Sequence, residues 1–262
     1  MTSEQLHTTS IGDQGSPIVF CHGLFGQGRN WTQIGKALGG NHRVLLVDMP
    51  QHGRSPWSPG FSYLAMADAV AGLLDPDDPV TLVGHSMGGK AAMVLALRRP
   101  ELVERLCVVD ISPVSQPGSE EFAGYIRAMQ QLDLGGLERR SDADEALADA
   151  VPNRTVRNFL LQNLRRDDDG WRWLLNLDVL GESLDALGDW PEDDLGDVAP
   201  YPGPVLWLGG AKSGYVRDEY AAAMDRWFPR NRRVTVKGAG HWVHSEQPEI
   251  FVEVLRRFAD AR

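Results

Sequence analysis

Ser86 stands between two glycines in Gly84-His85-Ser86-Met87-Gly88, directly after the apolar run VTLV and before a helix-forming stretch. A Gly-x-Ser-x-Gly turn between a strand and a helix presents the serine hydroxyl as a nucleophile above the strand end. The glycines are there for steric reasons. A side chain at Gly84 or Gly88 would collide with the neighbouring strand or helix, and the central residue is forced into a strained backbone that lifts its hydroxyl clear. The following helix turns its N-terminus toward the same point, so the Met87 N–H can face developing negative charge. A Gly-rich turn with an N-capping serine would use the same residue types. The preceding VTLV and the following Gly89 favour the nucleophile.

A serine needs a base to take its proton. Of the seven histidines, His241 lies on a glycine-bracketed loop, KGAGHW, after the run RVTV. His7 and His42 look peripheral, His22 and His85 belong to loop motifs, and His52 sits in the DMPQHGRS turn. His244 is the remaining rival but lacks the glycine loop. His241 and His244 at i, i+3 could hold a metal in principle, yet no HExxH frame surrounds them. For the acid, Asp110 closes the run LCVVD, and a parallel strand delivers its C-terminal residue to the active edge. There it could fix the His241 tautomer. Asp218 is the second choice, because PVLWL leads into GGAKSG with no carboxylate until that position. Asp48 also ends a strand, but its context suggests that it pins a loop. Ser213 would lie near these groups, within reach of His241 or a water. Upstream, PIVFC ends in His22-Gly23-Leu24-Phe25-Gly26, a turn able to aim a backbone amide inward. Leu24 is the preferred second oxyanion donor and Phe25 the alternative, each such N–H contributing on the order of 3 kcal/mol. Phe25 and Trp242, beside these motifs, are expected to contact substrate.

Positioning such groups requires a sheet. Short apolar runs at 17–21, 43–47, 80–83, 106–109, 204–208 and 233–236 read as buried parallel strands. Amphipathic patterns at 30–38, 63–74, 88–98, 217–227 and 249–259 lie between them, the signature of βαβ units. The alternation stops over 112–201, which reads as a helical cap; residues 1–111 and 202–262 form the core. The cap holds Trp171, Trp173 and Trp190, which with Leu160, Leu161, Leu174 and Leu175 read first as its own core and second as an acyl pocket. The acidic groups at 75–78, 167–169 and 192–194 read as solvated turns.

The 262 residues, 42% hydrophobic and 24% charged, suit one large-cored domain with an insertion. A net charge of −10 argues against a nucleic-acid partner. No apolar run is long enough to cross a bilayer, and no signal peptide is visible. Cys21 and Cys107 fall in apolar runs and read as buried free thiols, which fits the cytoplasm. No metal-ligand spacing or phosphate loop is present, so neither metal nor cofactor is expected.

The chain resembles the small carboxylesterases of the YbfF type, with the related mitochondrial serine hydrolases of animals, within the α/β-hydrolase superfamily. The resemblance rests on HGLFGQGRNW, VDMPQHGRSP, GHSMGGKAAM, VVDISPV, GGAKSGYV and GAGHWVHSEQPE, which span the chain except its cap. It implies a mostly parallel sheet flanked by helices, with a helical cap inserted after the sixth core strand. It implies a Ser-Asp-His triad in agreement with Ser86, Asp110 and His241, assisted by Ser213. It also implies cofactor-free hydrolysis of short to medium acyl esters or thioesters. The chain is expected to act as a monomer or small homo-oligomer. A second class shares much of this pattern. The pyruvate-eliminating lyase of menaquinone synthesis has a similar loop, elbow and tail, and Lys90 and Arg29 could serve its anionic substrate. That lyase, however, carries an Asp where this chain has GGAKSG. A non-catalytic hydrolase-fold binding protein would leave the triad unexplained. Ser86, in place of a carboxylate, excludes a dehalogenase.

Overall fold

A computed structural model describes residues 5–116 and 120–261; residues 1–4, 117–119 and 262, which fall within the expected core and cap segments, lie outside the described residues. Nine strands are present among them: β1 Thr8–Ile11, β2 Ser16–Cys21, β3 His42–Val47, β4 Val80–His85, β5 Val103–Val109, β6 Leu164–Asp167, β7 Gly170–Trp173, β8 Val205–Gly210 and β9 Asn231–Val236. Seven form one sheet in the order β1-β3-β2-β4-β5-β8-β9. All pairs in it are parallel except β1 with β3. The short Thr-Thr-Ser-Ile strand β1 carries no apolar run, so periodicity did not reveal it. A polar, antiparallel edge is a common way to close a sheet to further pairing.

From β2 the chain winds to β3 on one side, then returns across β2 to β4 and β5. The winding therefore reverses between β2 and β4, and ligands bind outside the carboxyl ends of strands at such a reversal. The loops leaving those two ends are His22–Gly26 and the Ser86 turn. Helices α1 (Thr32–Leu38), α2 (Tyr63–Ala71) and α3 (Met87–Arg98) follow β2, β3 and β4. Apolar residues of α2 and α3 pack on one face of the sheet, and those of α1 on the other. Met87 to Leu97 of α3 are buried throughout, which explains a helix with so little polar face.

Between β5 and β8 lie α4 (Glu120–Gln130), α5 (Arg140–Ala146), α6 (Arg154–Leu161), α7 (Leu177–Glu182), α8 (Leu184–Gly188) and α9 (Glu192–Leu195). Because β2 precedes the oxyanion loop, which in this fold follows the third strand, chain order trails the fold's count by one. The strand before the insert is thus the expected sixth. The insert has its own apolar cluster, including Tyr125, Ile126, Met129, Leu160, Leu161 and Trp173. It differs from a purely helical cap in one respect: β6 and β7 form an antiparallel hairpin around the acidic 167–169 turn. Gly170 closes that turn at φ 113°, the left-handed region an Asp-Gly hairpin uses. Trp190 is also placed differently from expectation. It packs with the main core, 6.1 Å ring to ring from Trp227, and Leu195 and Tyr201 join it there. The return toward β8 is therefore anchored to the sheet layer well before Tyr201. After β8 come α10 (Ala221–Trp227), α11 (Val243–Glu246) and α12 (Pro248–Ala259), the last packing beside α1.

The elbow is closely packed. A methyl on Gly84 would lie 2.3 Å from the Gly88 carbonyl oxygen, and one on Gly88 would lie 2.4 Å from that of His22. Gly124 in α4 meets nothing within 4 Å of an added Cβ among the described residues. We expect Gly88→Ala to cost several kcal/mol in urea unfolding, while Gly124→Ala is neutral or stabilising by up to about 1 kcal/mol. Equal effects would contradict the packing described.

Candidate active site

Ser86 ends the β4 turn at φ 52°, ψ −118°, a conformation strained for any side chain, and its N–H is held by the Val109 carbonyl at 3.0 Å. As the first helical residue of α3, Met87 has an N–H with no intrahelical acceptor. Asp110, just past β5, is also left-handed, at φ 51°, and fully buried. Its N–H bonds the Leu208 carbonyl at 3.1 Å, tying the turn to β8. Gly210 N–H donates to its Oδ1 at 2.8 Å, and Ser213 Oγ donates to its Oδ2 at 2.5 Å. His241 Nδ1 lies 2.7 Å from the same Oδ2. With Nδ1–H given to the carboxylate, the imidazole keeps its Nε2 lone pair outward as an acceptor.

The alternatives separate on the same geometry. The Asp218 side chain is fully exposed and 3.3 Å from Arg233 Nη1, so it reaches no histidine. His244 lies over Trp31 at 4.1 Å, and its buried Nδ1 has no hydrogen-bond partner among the described residues. Ser213 bonds the acid, where sequence suggested His241 or a water. Asp48 pins loops as expected, accepting from Gly28 N–H at 2.7 Å and Arg54 N–H at 3.0 Å.

The imidazole of His241 is boxed in by Tyr215, 4.5 Å away ring to ring, and His85, 4.7 Å away. His85 Nε2 donates to the His241 carbonyl at 2.9 Å, which joins the elbow directly to the histidine loop. Glu246 grips the loop from the other side, accepting from Gly240 N–H at 2.9 Å and Trp242 N–H at 3.3 Å. Neither Tyr215 nor Glu246 was identified from sequence, although both sit within motifs already singled out, GGAKSGYV and GAGHWVHSEQPE. The surrounding histidines are held neutral by burial. Desolvation lowers His22 to about 4, His52 and His244 to about 3, and His85 well below the ordinary range. His22 uses that neutral form structurally, donating from Nδ1 to Gly23 O at 2.8 Å and accepting Met49 N–H at Nε2, 2.9 Å.

Phe25 has φ 64°, which turns its carbonyl to the buried amide of Asn163, 2.8 Å away in the insert. Asn163 also accepts from Gln27 Nε2 at 2.5 Å, so the insert fixes the loop after β2. The Leu24 N–H has no acceptor among the described residues. Leu24, Ser86 and Met87 line one cavity of about 60 Å³. Its remaining wall includes Tyr63, Lys90, Phe122, Leu184, Leu187 and Tyr215. The two residues expected to contact substrate lie outside this cavity. The Phe25 ring is buried in the insert's apolar cluster and does not line this cavity, because the positive φ directs it there. Trp242 lies against Phe159, 6.0 Å ring to ring, and borders a separate cleft of about 470 Å³. Nor do Trp171, Trp173 and Trp190 line the cavity beside Ser86. Lys90 is buried there, its ammonium 2.7 Å from the carbonyls of both Gly188 and Asp189, with desolvation lowering it to about 8. Arg29 points elsewhere, donating to the Gln162 carbonyl at 2.6 Å.

Residues 16–248 match the family model described as alpha/beta hydrolase fold. The chain is 42% identical over 256 residues to the mouse sn-1-specific diacylglycerol lipase ABHD11, covering 94% of this chain and 82% of that protein. It is 33% identical over 247 residues to the Escherichia coli K12 esterase YbfF, covering 93% and 92% respectively. A solved marine microorganism esterase superposes with TM-score 0.93 at 33% identity, covering 98% of this chain and all of the other. The chain belongs to the α/β-hydrolase family and is a YbfF-like member of it.

Two outcomes follow. Asp110→Asn should lower kcat for an ester by about 10³- to 10⁴-fold by spoiling the histidine tautomer, while Asp218→Asn stays within about twofold. An inactive Asp218 variant would reassign the acid. The buried histidines bind protons in the unfolded chain near pH 6.5 but, in the fold, only near 3–4. Their stabilising contribution is thus complete above pH 6.5 and is lost as the pH falls toward 3–4. The urea midpoint should drop steadily from pH 7 to pH 4; a constant midpoint would contradict neutral burial.

Proposed function

We propose that this α/β-hydrolase is a carboxylesterase-type serine hydrolase that cleaves small carboxylic esters, with thioesters as a second substrate class, through an acyl-enzyme on Ser86. The observation that carries the reading is the buried Asp110 carboxylate bonded to His241 Nδ1, which leaves Nε2 free as a base on a loop that His85 ties to the serine turn. In the first half-reaction Ser86 Oγ attacks the carbonyl carbon as His241 Nε2 takes its proton. The oxygen of the tetrahedral intermediate gains negative charge and is met by the N–H groups of Leu24 and Met87. His241 then returns the proton to the departing alkoxide or thiolate. In the second half-reaction a water is deprotonated by the same nitrogen, attacks the acyl carbon and releases acid and free serine.

The family names support ester hydrolysis, and neither the pyruvate-eliminating lyase nor a non-catalytic binder is favoured. The local geometry agrees: the Lys90 ammonium is engaged by carbonyls and Arg29 does not reach the cavity. Two buried free thiols, with Cys21 pushed up to about 12, accord with residence in a reducing compartment such as the cytoplasm. Among the described residues no helix is long and apolar enough to cross a membrane. Ser86→Ala should abolish p-nitrophenyl butyrate hydrolysis, lowering kcat at least about 10⁴-fold with an unchanged unfolding transition. Retained turnover by the purified variant would overturn the assignment.

A further inference from the structure

The cavity beside Ser86 is closed on its far side by the insert, and two buried polar side chains of the core hold that wall in place. Helix α8 is a single short turn; the Gly188 carbonyl already accepts from Gln116 N–H at 2.8 Å, while those of Leu187 and Asp189 have no backbone donor among the described residues. Tyr63 Oη, from α2, donates to the Leu187 carbonyl at 2.7 Å. Lys90 Nζ, one turn beyond Ser86 in α3, donates to the next two carbonyls, Gly188 and Asp189, at 2.7 Å each. Lys90 is 1% exposed and Tyr63 4%. A buried ammonium is costly unless its hydrogen bonds are made, so breaking this clasp carries a penalty on both sides. The side chains immediately before the clasp, Leu184 and Leu187, face the cavity.

His241 does not line this cavity, whereas Leu24 and Met87 do. The leaving group must be reached by His241, so the cavity takes the acyl part. Its volume of about 60 Å³ is less than half of the roughly 150 Å³ that holds a benzene ring in an apolar core. An acyl chain longer than a few carbons that stays within the cavity presses on Leu184 and Leu187, which line it.

We infer that Lys90 and Tyr63 are positioning residues that set the acyl-length limit of the enzyme by clamping residues 187–189 of the insert as the end wall of the acyl cavity. The inference rests on Ser86 being the nucleophile.

The test is a series of p-nitrophenyl esters from acetate to dodecanoate, run on wild type, Lys90→Met and Tyr63→Phe. Wild type should favour the short end. In Lys90→Met the ratio of kcat/KM for octanoate over acetate should rise at least tenfold, chiefly through a lower KM for octanoate. Tyr63→Phe removes one hydroxyl only, and the ratio should rise about threefold; it carries the test alone if Lys90→Met does not fold. An unchanged ratio in the folded variants, or a loss of kcat in equal proportion at every chain length, overturns the clamp. A wild type that turns over no ester of any length would instead overturn the parent reading.

Discussion

The Asp110 carboxylate is the constraint on which the rest of this molecule depends. A charge removed from water is tolerated only when its hydrogen bonds are made. Here backbone N–H, hydroxyl and imidazole all converge on it, from Gly210, Ser213 and His241. Each donor comes from a segment distant in sequence from Asp110, at the end of β8 or on the loops that leave β8 and β9. The ion thereby fixes how those loops close over the sheet edge, and it fixes the tautomer of His241, the base of the proposed mechanism. Removing the carboxylate would leave three donors without their acceptor as well as a misoriented imidazole. Structure and chemistry are thus coupled at a single buried group.

Around this ion the chain concentrates backbone strain. Phe25, Ser86 and Asp110 all adopt left-handed φ without being glycine. Each is held by hydrogen bonds from outside its own turn: Asn163 to Phe25, Val109 to Ser86 and Leu208 to Asp110. Such conformations cost about 1–3 kcal/mol each and persist where the surroundings over-determine them. The insert contributes one of those tethers, so it does more than cover the site. It also fixes the loop whose Leu24 amide the proposed mechanism assigns to the oxyanion.

The site was legible in sequence where local chemistry dictates local geometry. The glycine-flanked Ser86, the strand-ending Asp110 and the glycine-bracketed His241 each announce a turn that few residue types can make. The two buried faces of the parallel sheet likewise leave continuous apolar runs, which place five of its seven strands; the edge strand β9, expected to be buried, is instead largely at the surface and was found only from its closing Val-Thr-Val. The edge strand β1 left no such run. What sequence did not reveal depends on contacts between distant segments. The direction of the Phe25 ring follows from one backbone dihedral. Trp190 joins the main core because the return segment folds back against α10, which no periodicity encodes. The 167–169 acidic turn was recognised as a turn, but the strands it joins, Leu-Arg-Arg-Asp and Gly-Trp-Arg-Trp, are too short and too charged to read as a hairpin. Lys90 looked available for an anionic substrate until the carbonyls of 188 and 189 were seen to occupy it.

The central claim is that an imidazole oriented by a buried carboxylate activates Ser86. Reaction with a fluorophosphonate probe followed by peptide mass spectrometry tests it most directly, since the adduct reports nucleophile and activation together. The account predicts a single adduct on the Ser86 peptide, forming at least about a hundredfold more slowly in His241→Ala. Labelling at another residue, or a rate unaffected by loss of the imidazole, would contradict it.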